Sequence, residues 1–143
     1  MTNRKNEPQS LLCFDFGTKR IGVATGQAIT QSTTPLSTLH SQHGKPDWCE
    51  IQALIGEWEP DALVVGIPYH MDGKEQAMTL FAEKFCGQLE TRTGLTVYRA
   101  EERLSSYAAE NTMTDNITLK KFGVDAVAAS IILQDWLMRE ARA

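Results

Sequence analysis

The sequence contains few cysteines, and no two of them are close together. Among its 143 residues there are three cysteines, Cys13, Cys49 and Cys86, with no Cys-X-X-Cys pair. This spacing argues against both a disulfide framework and a zinc knuckle. We therefore expect buried, free thiols in a reducing cytoplasm.

Long hydrophobic runs are also lacking. The longest apolar segment, residues 126–133, falls far short of the roughly 20 residues that a membrane-spanning helix needs. The first nine residues are polar and lack the apolar core of a signal peptide. These absences predict a cytoplasmic protein with no membrane partner, in which residues 1–9 are a flexible tail and residues 10–143 are a single domain.

Several common catalytic and cofactor motifs are absent. The chain has no Ser–His–Asp arrangement, no phosphate-binding P-loop and no Gly-X-Gly-X-X-Gly segment. Positive charge is not in excess either, because the net charge is −4. A protein that binds nucleic acid through non-specific charge alone is therefore not the first expectation, although a local basic patch is still compatible with this total.

The apolar patterns that are present predict an α/β domain. Strands are expected at 11–16, 21–24, 35–39, 62–67 and 95–99, and helices at 46–58, 73–93, 105–109 and 124–139. Asp72 and Glu75 form a candidate capping box at the start of the second of these helices. Helical spacing places Trp48 and Trp58 in the core, and Phe81 on the packed face of the second helix. Three antiparallel strands followed by alternating helices and strands predict a mixed sheet that is flanked by helices.

Acidic residues stand at three strand or helix ends. Asp15 lies among large apolar residues on the first strand, Glu101 and Glu102 follow the fifth strand, and Asp125 opens the last helix. If they converge, their repulsion must be relieved by protons or cations, and carboxylate oxygens suit Mg²⁺ or Mn²⁺. The alternative is structural, because Asp15 could cap a turn and the others could favour helix N-termini.

Basic residues accompany each of these acids, and they are Lys19, Arg20, Arg103, Lys120 and Lys121. A metal site alone does not need so many cations, whereas a polyanionic substrate does. The alternative is solvated surface charge that pairs locally with the acids. His70 follows the fourth strand, where loops often line α/β sites, and is a further candidate for substrate contact. His40 and His43 are interpreted as surface residues.

Four segments resemble the YqgF (RuvX) family, whose members are described as Holliday junction resolvases and as pre-16S rRNA nucleases. They are 15–24 (DFGTKRIGVA), 66–73 (GIPYHMDG), 101–105 (EERLS) and 124–129 (VDAVAA), in the order and spacing of the family. The third segment usually begins Asp-Glu-Arg, and here it begins Glu101-Glu102-Arg103. This change leaves open whether Glu101 also reaches a metal.

The resemblance implies a ribonuclease-H-like fold and a Mg²⁺- or Mn²⁺-dependent nuclease. Asp15, Glu102 and Asp125 are the implied catalytic and metal-binding residues. The implied role is maturation of the 5′ end of 16S rRNA, with structured RNA favoured as the partner. A four-way DNA junction is the alternative substrate, and the chain could act as a monomer or a homodimer.

Two other classes compete with this interpretation. Asp15-X-Gly17-Thr18 is also similar to the phosphate motif of actin-like and sugar-kinase ATPases, but those proteins need a second such domain. A non-catalytic nucleic-acid-binding module in transcription or ribosome assembly is the other alternative. The presence of all three acids argues against that alternative without excluding it.

Overall fold

Six strands and three helices make up the part of the chain that the computed structural model describes, residues 9–67, 76–101 and 123–142. The strands are β1 (Ser10–Asp15), β2 (Arg20–Gln27), β3 (Ser32–Gln42), β4 (Lys45–Pro46), β5 (Ala62–Ile67) and β6 (Thr96–Glu101). The helices are α1 (Trp48–Trp58), α2 (Gln76–Thr93) and α3 (Val124–Arg142). None of these helices is long and apolar enough to cross a membrane.

The strands form one mixed sheet in the order β4-β3-β2-β1-β5-β6. β1 to β4 pair antiparallel, whereas β1, β5 and β6 pair parallel. The predicted α/β class and mixed sheet are thus confirmed. β1 is central in the sheet, and β5 is apolar on both faces. Because β1, β5 and β6 run in the same direction, their carboxyl ends meet at one edge of the sheet.

The two faces of the sheet carry separate hydrophobic clusters. Leu12, Phe14 and Phe16 point to the face covered by α1 and α2, where Phe14 and Phe85 meet edge to face at 5.7 Å. Leu11 and Cys13 point to the opposite face, which is covered by α3. Alternation along a strand therefore places Asp15 on the α3 face.

Local chemistry explains where the helices begin and end. The Asp47 carboxylate accepts hydrogen bonds from the backbone N–H groups of Cys49 and Glu50, which caps α1. Glu59 ends α1 in the left-handed conformation just before Pro60. Gly94, with a φ of 72°, follows the end of α2.

Several predicted details were wrong. β3 is longer than predicted, and β4 (Lys45–Pro46) includes Pro46, where the first helix was expected to begin. Trp58 and Phe81, predicted to be core residues, are 40% and 42% exposed. Cys49 is exposed rather than buried, while Cys13 and Cys86 are buried as expected.

Two other predictions lie largely outside the described residues. The short helix expected at 105–109 is one, and the predicted tail at 1–9 is the other, except for Gln9. The backbone N–H of Gln9 donates to the Asp61 carboxylate at 2.9 Å, as does that of Ser10.

Candidate active site

Asp15 lies at the edge of the sheet where the parallel strands end. It is the last residue of β1 and is partly buried. Its register partners are Gly22 on β2 and Gly66 on β5, and Gly66 is in turn opposite Ala100 on β6. Glycines therefore flank Asp15 on both sides along this row.

The first turn of α3 crosses the sheet over this row. A Cβ placed on Gly22 would collide with the backbone carbonyl of Asp125 and would lie 2.9 Å from the backbone nitrogen of Ala126. A Cβ placed on Gly123 would make only an ordinary contact, at 3.5 Å, with Oγ1 of Thr38, the β3 residue opposite Gly22. The approach of α3 to β2 at Gly22 is closer than any side chain would permit. The backbone of Asp125 thus lies over Gly22, the β2 partner of Asp15. The two predicted acids are therefore at one corner of the α3 face.

Arg20 contacts one of these acids directly. Its Nε donates to Oδ2 of Asp125 at 2.9 Å, with exposed side-chain fractions of 62% and 33%. Arg20 therefore supplies positive charge at the same corner. This ion pair is what the alternative interpretation of the basic residues predicts, namely exposed surface charge that pairs with a nearby acid.

The turn between β1 and β2 carries Lys19 and is held by β3. Ser41 Oγ donates to the carbonyls of Gly17 and Thr18, at 3.1 and 2.7 Å. The backbone N–H of Ser41 donates to the carbonyl of Lys19 at 2.9 Å. These bonds fix the backbone of the turn, while the Lys19 side chain remains exposed.

Glu101 lies on the other face of the sheet. In β6, Val97 belongs to the cluster under α2, and Tyr98 and Ala100 belong to the cluster under α3. Alternation places Glu101 with Val97 and Arg99, on the α2 face. Asp15 and Asp125 are on the α3 face, so Glu101 is directed away from them.

The remaining predicted site residues lie outside the described residues, and they are His70, Glu102, Arg103, Lys120 and Lys121. Within the described residues, no group of three or more His, Cys, Asp or Glu side chains is arranged to hold a metal ion. Of the predicted site residues, the structure places Asp15, Arg20 and Asp125 at one corner of the sheet.

The donor set at this corner fits a hard divalent cation. Asp15 and Asp125 offer carboxylate oxygens, which Mg²⁺ and Mn²⁺ prefer. The α3 backbone that lies over Gly22 brings the segment carrying Asp125 next to the strand position paired with Asp15. Mg²⁺ typically takes only one or two carboxylates and completes its coordination with waters and substrate phosphates. The two described acids are of the type and number that such a site requires.

Two further residues shape this region and were missed by sequence reasoning. Gly22 lets α3 approach the sheet, and a glycine inside a strand is a known signal of close backbone approach. Phe81 is exposed beside the β1–β2 turn. No sequence signal reveals its exposure, because its spacing from Phe85 matches a packed helical face.

The fold defines the class of α/β proteins to which the chain belongs, the ribonuclease-H-like proteins. Two solved structures share the fold across almost the whole chain. Thermus thermophilus RuvC in complex with a Holliday junction substrate has a TM-score of 0.59 at 11% identity, covering 93% of this chain and 96% of that one. The fowlpox virus resolvase with Holliday junction DNA has a TM-score of 0.52 at 14% identity, covering 94% of this chain and 100% of that one.

The chain belongs to the RuvX family, whose model is described as a Holliday junction resolvase and matches residues 9–139. A relative from Pseudomonas savastanoi pv. phaseolicola is 48% identical over 131 residues, covering 89% of this chain and 90% of its own. One from Coxiella burnetii is 44% identical over 136 residues, covering 94% and 96%. Both relatives carry the name "Putative pre-16S rRNA nuclease".

Proposed function

We propose that this protein is a divalent-metal-dependent endonuclease that processes the 5′ end of pre-16S rRNA in the cytoplasm. The observation that carries the proposal is that the Asp125 backbone packs on Gly22, the β2 residue paired with Asp15, in a RuvX-family chain. The names of relatives at 44–48% identity favour the rRNA substrate. The residues proposed for catalysis and metal binding are Asp15, Glu102 and Asp125.

Each described residue has a task that follows from its position. Asp15 and Asp125 hold the cation at the corner of the sheet. Glu102 is proposed as a third ligand because it directly follows β6, and Ala100, two residues earlier, belongs to the cluster on the α3 face. The chemistry that Mg²⁺ or Mn²⁺ supplies when bound is activation of water and neutralisation of charge on the leaving oxygen.

The cations of the chain are proposed to hold the substrate. Lys19 is exposed on a fixed turn, where it can contact a phosphate beside the cleaved bond. The Arg20 side chain is largely exposed where it contacts Asp125, so its remaining N–H groups can donate to a substrate phosphate. Phosphate contacts of this kind set the register of the nucleic acid without reading its sequence. His70, Arg103, Lys120 and Lys121 are proposed for the same task.

A four-way DNA junction is the second candidate substrate. The description of the family model favours it, since that model is named for Holliday junction resolution. The same acids and cations would serve either substrate, because both reactions cleave a phosphodiester. Recognition would differ, with shape and unpaired bases more prominent for RNA.

The experiment that tests the proposal offers both substrates to the same protein. 16S rRNA precursor with its 5′ leader and a four-way DNA junction are each incubated with Mg²⁺, with Mn²⁺ and with a chelator. We expect metal-dependent cleavage of the precursor. Asp15→Asn and Asp125→Asn should each lower the rate by more than the roughly 10- to 100-fold cost of losing an outer partner of a metal ligand.

A matched carboxylate on the same helix serves as the control. Asp135 lies on α3 and pairs with Arg139 at 3.0 Å. Asp135→Asn should cleave at the wild-type rate. Cleavage of the junction alone would assign the DNA substrate instead. Cleavage of neither substrate, or cleavage that survives both site substitutions, would overturn the nuclease proposal.

A further inference from the structure

A groove opens beside the β1–β2 turn, on the opposite side from α3. It has a volume of about 650 Å³ and is lined by Thr18, Lys19, Ser41, Gln42, His43 and Phe81. Binding sites for small organic groups commonly enclose roughly 300–1,000 Å³. The groove is therefore large enough to receive part of a nucleotide chain.

The walls of the groove are held in place by backbone bonds. Ser41 fixes the β1–β2 turn through its hydroxyl and its backbone N–H. The backbone N–H of Gly44 donates to the carbonyl of Thr18 at 3.2 Å, which ties the β3–β4 turn to the same place. His43 and Gly44 both have positive φ, at 52° and 79°, so the chain turns sharply at the rim.

The chemistry of the lining favours a polyanion with flat apolar groups. Lys19 supplies a cation, and none of the six lining residues is a carboxylate, although the whole chain has a net charge of −4. Phe81 supplies an aromatic ring, and the residue is 42% exposed. A phosphate can meet Lys19 while a base stacks on Phe81, and the hydroxyl and amide groups between them can bond to sugar or base edges.

The position of the groove connects it to the candidate active site. Lys19 lies four residues after Asp15, in the turn that leads from β1 into β2. The acids lie on the α3 face of the sheet edge, and Phe81 comes from α2 on the other face. A nucleic-acid strand that crosses this edge would pass the acids, then Lys19, and then the groove.

We propose that this groove binds an unpaired nucleotide of the substrate next to the cleaved bond, with its base stacked on Phe81 and its phosphate on Lys19. The inference rests on the proposed nuclease function and deepens it, because it specifies a single-stranded segment beside the cleavage point. A continuous duplex does not fit, since its bases are not free to stack on a side chain.

The test measures binding without cleavage. The full chain in a chelating buffer is titrated against a single-stranded RNA of about 12 nucleotides, within the range of single-strand sites, that contains the fluorescent base 2-aminopurine. We expect quenching of the fluorescent base on binding. Phe81→Leu, which keeps an apolar side chain against Gly44 but removes the flat ring, should bind about 5- to 100-fold more weakly and lose the quenching.

Three further variants separate stacking from general disturbance. Phe81→Trp keeps a flat ring and should retain both affinity and quenching. Leu80→Ala alters the exposed neighbour that does not line the groove, and it should bind like the wild type. Lys19→Ala should bind more weakly and should flatten the slope of log K against log salt by about 0.7.

Competitors of the same sequence identify the strand. Single-stranded RNA should displace the probe better than the duplex. If single-stranded DNA competes best, the groove proposal holds and the substrate is DNA. Equal competition by duplex, unchanged affinity in Phe81→Leu, an equal loss in Leu80→Ala, or no binding by the wild type would each overturn the groove proposal.

This binding test and the cleavage test fail independently. Stacking without metal-dependent cleavage would leave the groove in place and overturn the nuclease proposal. Cleavage that depends on Asp15, together with normal binding by Phe81→Leu, would leave the nuclease in place and overturn the groove.

Discussion

The backbone carbonyl of Asp125 lies directly over the α-carbon of Gly22, so the helix that carries one candidate acid rests on the strand residue opposite the other. Asp15 itself is fixed by the β1–β2 register. The geometry of the corner therefore depends on a position where no side chain is allowed. This contact makes Gly22 a sensitive point for both stability and activity.

Gly22→Ala should destabilise the fold and impair cleavage. The added methyl group collides with backbone rather than with a flexible side chain, so α3 must shift, at a cost of about 1–3 kcal/mol. Urea denaturation and precursor cleavage measure the two effects.

Gly56→Ala is the matched control, because nothing lies within 4 Å of its added Cβ. In the last turn of α1 it should stabilise the protein by up to about 0.5–1 kcal/mol and leave cleavage unchanged. Wild-type stability and activity in Gly22→Ala would contradict the close packing.

Arg20 and Asp125 should be coupled energetically. Both are partly exposed, so a double-mutant cycle with Arg20→Gln and Asp125→Asn should give a coupling of about 0.2–1 kcal/mol at low salt. Added salt should weaken it by screening. If a divalent cation binds Asp125, Mg²⁺ should reduce the coupling more than an equal ionic strength of NaCl does. The measurement is urea denaturation of the four proteins in a chelator, in NaCl and in Mg²⁺. A coupling that none of these conditions changes would contradict an exposed pair at a cation site.

The three thiols should differ in reactivity. Desolvation by burial raises the pKa of Cys86 to about 12, and only the thiolate is nucleophilic. At about pH 8, near the ordinary thiol pKa, Cys86 should therefore remain protonated and unreactive in the folded protein. Ellman's reagent should label the exposed Cys49 quickly and the two buried thiols only after unfolding. Cys49→Ser should remove the fast phase, and a fast phase that persists in this variant would show that a buried thiol is accessible.

Local patterns in the sequence were sufficient for much of the fold. The apolar run at 62–67 coincides with β5, and Asp47 and Pro60 mark the ends of α1, because strand burial and helix capping are short-range effects. Asp125 was correctly expected at the start of the last helix. Its contact with Gly22 depends on residues a hundred positions apart, so spacing alone could not provide it.

The errors have a common physical origin. β3 was predicted too short because it is rich in Ser and Thr, and its outer end pairs only with the two-residue β4. Trp58 and Phe81 follow helical spacing, but they stand at helix positions where the sheet no longer covers them. Periodicity shows which face of a helix is apolar, and it does not show how far the partner surface extends.

The two neighbouring glutamates after Arg99 provide the sharpest test of the proposed acids. Alternation along β6 places Glu101 on the α2 face, away from Asp15 and Asp125, so Glu101→Gln should retain wild-type cleavage. Glu102→Gln should lose cleavage to the same extent as Asp15→Asn, because Glu102 is the proposed third metal ligand. Cleavage rates are compared at saturating Mg²⁺, with circular dichroism and urea denaturation as folding controls. Titration with Mn²⁺ should show weaker metal binding in Glu102→Gln and wild-type metal binding in Glu101→Gln. If Glu101→Gln is the inactive variant instead, then the side chain that completes the site comes from the opposite face of the strand. The assignment of the α3 face as the catalytic face would then be wrong.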